Sequence, residues 1–309
     1  MARAGNDFFW QFLRSIDHGY SYDCAVEVGC NDFYLTTRLA AVCRHVVGVD
    51  PQWRGKKARI EQDNVAVLGK CINEVEPTHE IPARPDLILA VHTLEHIAEP
   101  LKDLTGLIDF AADEALIVVE VPCFDTQLRL LRFDQVFHQH IQYFSVSSLI
   151  KMFGKLGCGY VKHTFNYQFW GGTLLAMFRK GQPVSEIDFM PISAVVSAKE
   201  RFLARCYDTT QQLESCGSRL FAYGASQLLP TLAYHLRSDM AEFEAVLDQS
   251  PARIGKYFPG LVPQIILPNQ AQGIEEAVIF ITAIDSARQI MRACFDRNPR
   301  LILRPLCDI

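Results

Sequence analysis

A turn near the start of the chain contains the first residues that could bind a small molecule. The stretch AVEVGCNDFYL, residues 25–35, predicts the end of a strand, a tight turn at Gly29 and the start of a helix. Ligands of open parallel sheets bind beyond the carboxyl ends of the strands, so we expect this turn to belong to a site. A dinucleotide-binding turn needs the pattern G-x-G-x-x-G, but Asn31 and Tyr34 occupy the second and third glycine positions. The turn therefore argues against a dinucleotide.

Acidic residues around this turn indicate the charge of the ligand. Glu27 and Asp32 lie beside Gly29 in the sequence and would repel a phosphate, so a cationic ligand such as S-adenosylmethionine fits better. Asp50 follows Gly29 by 21 residues, at the predicted end of the second strand, where a carboxylate can accept hydrogen bonds from both ribose hydroxyls. Asp50 could also cap a turn that starts at Pro51, and the two roles are compatible. Nicotinamide-dependent oxidoreductases share this spacing but need the missing glycines, so they are the weaker alternative.

A second group of chemically capable residues follows the predicted fourth strand. The stretch DLILAVHTLEHIAEP places His92, Glu95 and His96 directly after that strand. His92 and His96 have the i, i+4 spacing of two metal ligands on one face of a helix, but a zinc site needs a third ligand, which nothing nearby in the sequence supplies. We therefore expect these residues to cap the turn or to contact a ligand, and we expect no metal.

Two further histidines stand in the stretch FHQHIQYFS, which begins at Phe137. His138 and His140 could act as general bases, because imidazole titrates near neutral pH. The alternative is a strand or turn with alternating polar side chains and no catalysis.

The elements that must position these residues follow an α/β pattern. In the first half, short β-rich segments alternate with helical ones: CAVEVG, YLTTRLAAVC, HVVGVD, NVAVLG, PDLILAV, LKDLTGLIDFAA and ALIVVEVP. The run HTFNYQFWGGTLLAMFRK then predicts two strands that close the sheet with an antiparallel edge. A Gly- and Pro-containing connection leads to a second, smaller βα unit with its own turn at AYGASQ. We predict a helical extension over 1–22, a ligand-binding domain over 23–184 and a smaller α/β domain over 185–309.

Composition excludes several classes of protein. A chain of 309 residues with 49% hydrophobic content can bury a substantial core, and a net charge of −5 without a basic stripe argues against nucleic acid. No apolar run reaches the length of a membrane span, so we predict a cytoplasmic monomer or homodimer that acts on a small molecule. None of the ten cysteines forms a CxxC pair, which predicts reduced thiols in the core.

These motifs resemble those of a known family. The stretches VEVGCNDF, VVGVD and DLILAVHTLEHIAEP are similar to the glycine turn, ribose acid and post-strand-four motif of class I S-adenosylmethionine-dependent methyltransferases. Two others, VEVPCFDTQLRLLRFDQVFHQHIQYFS and AYGASQLLPTL, resemble the sugar C-methyltransferases, which act on nucleotide-linked keto sugars. The resemblance implies a Rossmann-like methyltransferase domain with a mostly parallel, seven-stranded sheet, followed by a second, smaller Rossmann-like α/β domain. It also implies S-adenosylmethionine as the cofactor and a role in sugar biosynthesis.

The resemblance and the motif positions together assign roles to individual residues. Contacts to the cofactor are expected from Glu27, Gly29, Asn31, Asp50, Pro51, Cys71, Ile72, Asn73, His92, Glu95 and His96. The general base is expected to be His140, with His138 as the second candidate. Contacts to the acceptor are expected from Tyr143, Trp170, Gly171, Gly172, Tyr223 and Ser226.

Departures from the family pattern leave the reaction open. The N-terminal zinc domain of the family, built from CxxC pairs, has no counterpart in this sequence, so no structural zinc is implied. The family's Tyr-His-Glu-His run appears as Phe137, His138, Gln139 and His140, which keeps both imidazoles but lacks the phenol and the carboxylate. We predict carbon methylation with a histidine base. Methylation of a hydroxyl oxygen and a catalytically silent S-adenosylmethionine-binding protein are the alternatives.

Overall fold

The chain folds into two units, each built around its own sheet, which is mostly parallel in the first unit and parallel in the second. The computed structural model describes residues 3–17, 21–167, 171–183, 188, 190–217 and 219–306. The first unit comprises Met1–Thr126 and His138–Met190, and the second comprises Gln127–Phe137 and Pro191–Ile309. In the described part of the chain, no helix has the length and apolar character needed to cross a membrane.

The first unit contains a seven-stranded sheet with the order β3-β2-β1-β4-β5-β7-β6. Its strands are β1 (Tyr22–Val28), β2 (Cys43–Val49), β3 (Val65–Leu68), β4 (Leu87–Val91), β5 (Leu116–Pro122), β6 (Cys158–Asn166) and β7 (Thr173–Lys180). Only β7 is antiparallel to its neighbours, β5 and β6. All residues of β4 and β5 are buried, as expected for central strands covered on both faces. This arrangement confirms the predicted mostly parallel sheet with an antiparallel edge.

Helices cover the sheet of the first unit. They are α1 (Arg3–Asp17), α2 (Tyr34–Leu39), α3 (Pro77–Glu80), α4 (Pro100–Phe110), α5 (Phe124–Arg129), which ends in the second unit, and α6 (Val146–Lys155). The predicted N-terminal extension is helical, but it belongs to the core of the unit. Phe9 and Leu13, four residues apart on one helical face, are fully buried in a cluster that includes Ala25 and Leu39.

The second unit contains a five-stranded, entirely parallel sheet with the order β10-β9-β8-β11-β12. Its elements are α7 (Ile192–Ser215), β8 (Leu220–Tyr223), α8 (Leu229–Leu236), β9 (Ala245–Leu247), β10 (Ile265–Ile266), β11 (Val278–Ile281), α9 (Ala287–Phe295) and β12 (Leu301–Leu303). The smaller α/β domain predicted from the sequence is therefore confirmed. Strand β10 was not predicted, because two residues are too few to show a period.

The second unit takes up two separate segments of the chain. The predicted boundary at 184/185 lies outside the described residues. The segment 127–137, which we expected in the first domain, belongs to the second unit. There Arg132 contacts Asp134 at 2.8 Å and Asp285 at 2.5 Å. Contacts between residues so distant in sequence cannot be read from local patterns.

Candidate active site

A cavity lies at the carboxyl ends of strands β1, β2 and β4. Its volume is about 440 Å³, and it has contributions from the turns after all three strands and after β3. Of the predicted cofactor residues, it is lined by Gly29, Asn31, Asp50, Pro51, Cys71, Ile72, Asn73, His92 and His96. Glu27 and Glu95 do not line it. Residues from four different turns of the sequence therefore line one cavity at the ends of the strands.

Gly29 allows the close approach of two turns. Its φ of 83° lies in the left-handed region, and a Cβ at this position would stand 2.0 Å from Oγ1 of Thr93. The Thr93 hydroxyl in turn donates a hydrogen bond of 3.0 Å to the carbonyl of Val28. A side chain at position 29 would therefore separate the ends of β1 and β4.

Asp50 organises the part of the cavity wall at the end of β2. Its carboxylate accepts hydrogen bonds from the backbone N–H of Asn31 at 3.0 Å and of Gln52 at 2.9 Å, which caps the short 3₁₀ helix Pro51–Trp53. The Gln52 amide adds a third hydrogen bond of 3.1 Å. A carboxylate has about four acceptor sites, so one remains for a ligand. The predicted capping role is confirmed, and the ribose role stays a prediction.

Glu27 is directed away from the cavity. It is buried, and its carboxyl group accepts a hydrogen bond from the hydroxyl of Thr36 in α2. Burial raises the pKa of Glu27 from 4.5 to about 8. A carboxyl group with this pKa favours its neutral form at neutral pH, so Glu27 adds little negative charge beside the cavity, and its role at the cofactor stays a prediction.

His92 lies between two buried carboxylates. Its Nδ1 is 3.3 Å from Oε1 of Glu95, and its Nε2 is 3.6 Å from Oε1 of Glu120, which also accepts a 2.6 Å hydrogen bond from Thr173. Burial opposes the charged imidazolium, but the two carboxylates outweigh burial and raise the pKa of His92 to about 9. The raised pKa favours the cationic form of His92 at neutral pH.

His96 and His140 meet beside this ion-paired group. Their ring centroids are 5.1 Å apart, and Nδ1 of His96 donates a 2.7 Å hydrogen bond to the carbonyl of Gln139. The backbone N–H groups of Ile141 and Gln142 donate to the carbonyl of Glu95, which fixes the His140 segment against the turn after β4. Burial lowers the pKa of His140 below its usual range, and the nearby Glu95 opposes this effect. His140 is therefore neutral near pH 7.

The structure also brings His140 close to Glu95 and His96, a grouping that the sequence did not indicate. Potential ligand atoms of Glu95, His96 and His140 all lie within 4.8 Å of one another. The spacing of His92 and His96 would place them on one face of a helix, but that segment forms only a short 3₁₀ helix, Leu94–His96. No local pattern could have paired His140 with a turn so distant in sequence.

The remaining predicted residues of the first unit have varied surroundings. His138 is exposed, and the ring of Tyr143 packs against that of Phe124 at a centroid distance of 5.7 Å. Gly171 and Gly172 have positive φ values of 69° and 114°. Trp170 lies outside the described residues.

In the second unit, Tyr223 and Ser226 surround the turn after β8. Tyr223 is buried, and its hydroxyl accepts a 3.2 Å hydrogen bond from the amide of Gln249. The backbone N–H of Ser226 donates to the carbonyl of Gly224 at 2.9 Å. Asp248, at the end of β9, accepts a 2.9 Å hydrogen bond from the N–H of Ala225. This turn and acid repeat the arrangement of Gly29 and Asp50 in the first unit.

Comparison with known proteins identifies the family. Residues 18–163 match the model of a family described as a methyltransferase domain, and residues 194–298 match a C-methyltransferase C-terminal domain. The chain therefore carries a methyltransferase domain followed by a C-methyltransferase C-terminal domain, and it resembles the class I S-adenosylmethionine-dependent methyltransferases. The cofactor of this methyltransferase is S-adenosylmethionine.

Individual relatives are distant. The C-methyltransferase NovU of Streptomyces niveus is 27% identical over 274 residues, which cover 81% of this chain and 64% of NovU. The methyltransferase thus spans less than two thirds of that relative. The N-methyltransferase NodS of Bradyrhizobium japonicum WM9, solved with S-adenosylhomocysteine, has a TM-score of 0.44 and 15% identity, covering 57% of this chain and 87% of NodS.

Proposed function

We propose that this methyltransferase transfers a methyl group to a carbon atom of a small molecule, a nucleotide-linked keto sugar or a related metabolite, with His140 as the general base. The observation that carries the proposal is the edge contact between His140 and His96, because His96 lines the strand-end cavity. A neutral imidazole thereby lies next to the expected position of the methyl donor.

The cavity suits an adenosyl ligand in size and chemistry. Its volume of about 440 Å³ falls within the range of small-molecule sites. We assign the remaining acceptor site of Asp50 to the ribose. The segment Cys71–Asn73 is assigned to the adenine, since it combines the buried apolar Ile72 with an exposed amide. Gly29 and Asn31 provide backbone close to the ligand, as the turn requires.

The residues of the chain have two tasks in the reaction. When bound, S-adenosylmethionine supplies an electrophilic methyl group, and most of the rate then comes from alignment of that group with the acceptor. His140 removes the proton from the acceptor carbon next to the carbonyl group, which leaves that carbon nucleophilic. The resulting imidazolium of His140 faces Glu95, whose charge favours it. The proton then passes to solvent, and the base returns to its neutral form.

Glu95 also accounts for a departure from the family pattern. Gln139 stands where the family has a carboxylate, and an amide cannot stabilise an imidazolium by charge. In this chain the carboxyl group near His140 comes from Glu95, on the turn after β4. The loss of the family's glutamate therefore does not remove the negative charge from the site.

The acceptor is assigned to residues of the first unit. We propose contacts from Tyr143, Gly171 and Gly172, and we propose that the turn with Tyr223 and Ser226 in the second unit is a separate nucleotide-type turn. The repeated turn-and-acid arrangement at Gly224 and Asp248 supports a nucleotide-linked acceptor, since turns of this kind hold nucleotides in α/β sheets.

The proposal is tested by methyl transfer from isotope-labelled S-adenosylmethionine to a matched panel of acceptors. One half of the panel consists of nucleotide-linked keto sugars, and the other half of the same sugars with a hydroxyl group in place of the ketone. Label on a carbon of the keto sugars supports the proposal. Label on oxygen identifies an O-methyltransferase, and binding of the cofactor without any transfer identifies a silent binding protein.

A further inference from the structure

The group Glu95, His96 and His140 has the composition of a metal site. We propose that these three side chains bind one divalent transition-metal ion of the zinc class. Two imidazoles and one carboxylate form a ligand set that zinc takes in catalytic centres, with the fourth position open to water. No family property implies this site, and the sequence had led us to expect no metal.

The distances between the ligand atoms suit one ion. The atoms lie within 4.8 Å of one another, whereas two atoms each about 2.1 Å from a zinc ion stand at most about 4.2 Å apart. Nε2 of His96 and Oε1 of Glu95 are already 4.0 Å apart, so a small side-chain movement within the group closes the remaining difference. The side chain of His96 is 45% exposed and also lines the cavity, which gives an ion a route of entry.

The burial of Glu95 is a second, independent indication of a cation at this site. The residue is 1% exposed, and within the described part of the chain neither carboxylate oxygen has a hydrogen-bond partner. A buried carboxylate of this kind requires hydrogen bonds or cations. The ring of His92 lies 3.3 Å from Glu95, but it also lies 3.6 Å from Glu120. Glu95 therefore shares this one imidazole with a second buried carboxylate, and a divalent ion would give Glu95 a further partner.

The orientation of His96 is already that of a metal ligand. Its Nδ1–H donates to the backbone carbonyl of Gln139 at 2.7 Å, which leaves the lone pair of Nε2 directed away from that bond. Histidines that bind metals regularly donate the second ring N–H to a carbonyl or carboxylate in this way. The same Gln139 precedes His140, so the hydrogen bond also holds the two imidazoles together.

A bound ion would occupy the lone pair that the proposed base needs. The consequence, which rests on the proposed function, is that zinc inhibits methyl transfer and a chelator restores it. Metal binding itself does not depend on that function and is measured without an acceptor.

The test uses the full chain without a histidine tag, treated with chelator and then dialysed. Titration with Co²⁺ is followed by visible absorption, and titration with Zn²⁺ by calorimetry. We expect one ion per chain. The variants His96→Ala and His140→Ala should lower the affinity by at least about 10- to 100-fold, the loss that follows removal of even an outer partner of a metal ligand.

A matched control separates this site from surface binding. His79 is exposed and lies 3.0 Å from a carboxylate oxygen of Glu76, so it offers the same groups without burial. His79→Ala should leave the affinity unchanged. Because His96 is itself half exposed, an unchanged melting temperature of His96→Ala verifies the fold. No binding by the parent chain, or equal affinity in the parent, His96→Ala and His140→Ala chains, would overturn the proposal.

The two hypotheses fail in distinguishable ways. If Co²⁺ binds through His140 but stoichiometric Zn²⁺ leaves turnover unchanged, the metal site stands and the base assignment is wrong. If Zn²⁺ does not bind and His140→Ala abolishes turnover, the base assignment stands and the metal site is wrong.

Discussion

The carboxylate of Asp50 caps a short helix and is also proposed to bind the ribose of the ligand. Three of its acceptor sites are occupied by Asn31 and Gln52, and these hydrogen bonds orient the group toward the cavity before any ligand arrives. A preorganised acceptor lowers the entropic cost of binding. The capping role and the ribose role are therefore mutually supportive.

Asp50→Asn is expected to weaken the binding of S-adenosylmethionine by about 1.5–3 kcal/mol, since hydrogen bonds to a charged acceptor contribute this much. Calorimetric titration measures the loss. Asp32→Asn is the matched control, because Asp32 is exposed, accepts only a local hydrogen bond from the N–H of Tyr34 at 3.2 Å, and does not line the cavity. Equal affinities in the Asp50→Asn and Asp32→Asn chains would refute the ribose assignment.

Sequence patterns predicted the residues of the cavity because each is fixed by its position after a strand. Gly29, Asp50 and His96 follow β1, β2 and β4, and parallel strands bring such positions together. The contact of His140 with Glu95 and His96 could not be predicted. It depends on hydrogen bonds from the backbone of residues 141 and 142 to Glu95, which no periodicity encodes.

At the scale of elements, β1 and α2 are joined by a buried polar contact. Glu27 in β1 accepts a hydrogen bond from the hydroxyl of Thr36 in α2, and both side chains are buried. Because burial raises the pKa of Glu27 to about 8, the folded state retains a proton that the unfolded state releases near pH 4.5. The free energy of unfolding contributed by this group therefore falls as the pH rises from 4.5 to 8 and is constant above that window.

Glu27→Gln should remove this pH dependence, because a neutral amide of similar size can still accept the Thr36 hydrogen bond. We expect the melting temperature of the variant to exceed that of the parent chain at pH 8 and to approach it at pH 5. Thermal unfolding at the two pH values tests the prediction. A constant difference between the two chains across this range would show that Glu27 is not protonated in the folded state.

At the scale of the whole molecule, the chain crosses between its units more often than the sequence suggests. Alternating strands and helices correctly predicted two α/β sheets, since periodicity is a local property. The transfer of residues 127–137 to the second unit was not predictable, because it rests on Arg132, which is buried with Asp134 and reaches Asp285. The attraction of the two aspartates outweighs burial and raises the pKa of Arg132 above its usual value.

Arg132→Met should destabilise the second unit by about 3–5 kcal/mol, because it leaves Asp134, 1% exposed, without its cation. Hydrogen exchange measures this loss as faster exchange in β8 and β11 than in the parent chain, with β4 and β5 less affected. Arg253→Met is the control, since the ion pair of Arg253 with Asp248 at 3.1 Å is half exposed and should contribute about 0–1 kcal/mol. Equal effects of the two substitutions would contradict the role assigned to Arg132.

Proton exchange at the acceptor carbon tests the central claim most directly, because it isolates the step assigned to His140. The chain is incubated in D₂O with S-adenosylhomocysteine and the nucleotide-linked keto sugar that accepts the methyl group, and NMR follows the proton next to the carbonyl. We predict exchange by the parent chain, exchange slowed by about 10²- to 10⁴-fold in His140→Ala, and a smaller loss in His138→Ala. Exchange by His140→Ala at the rate of the parent chain would contradict the account.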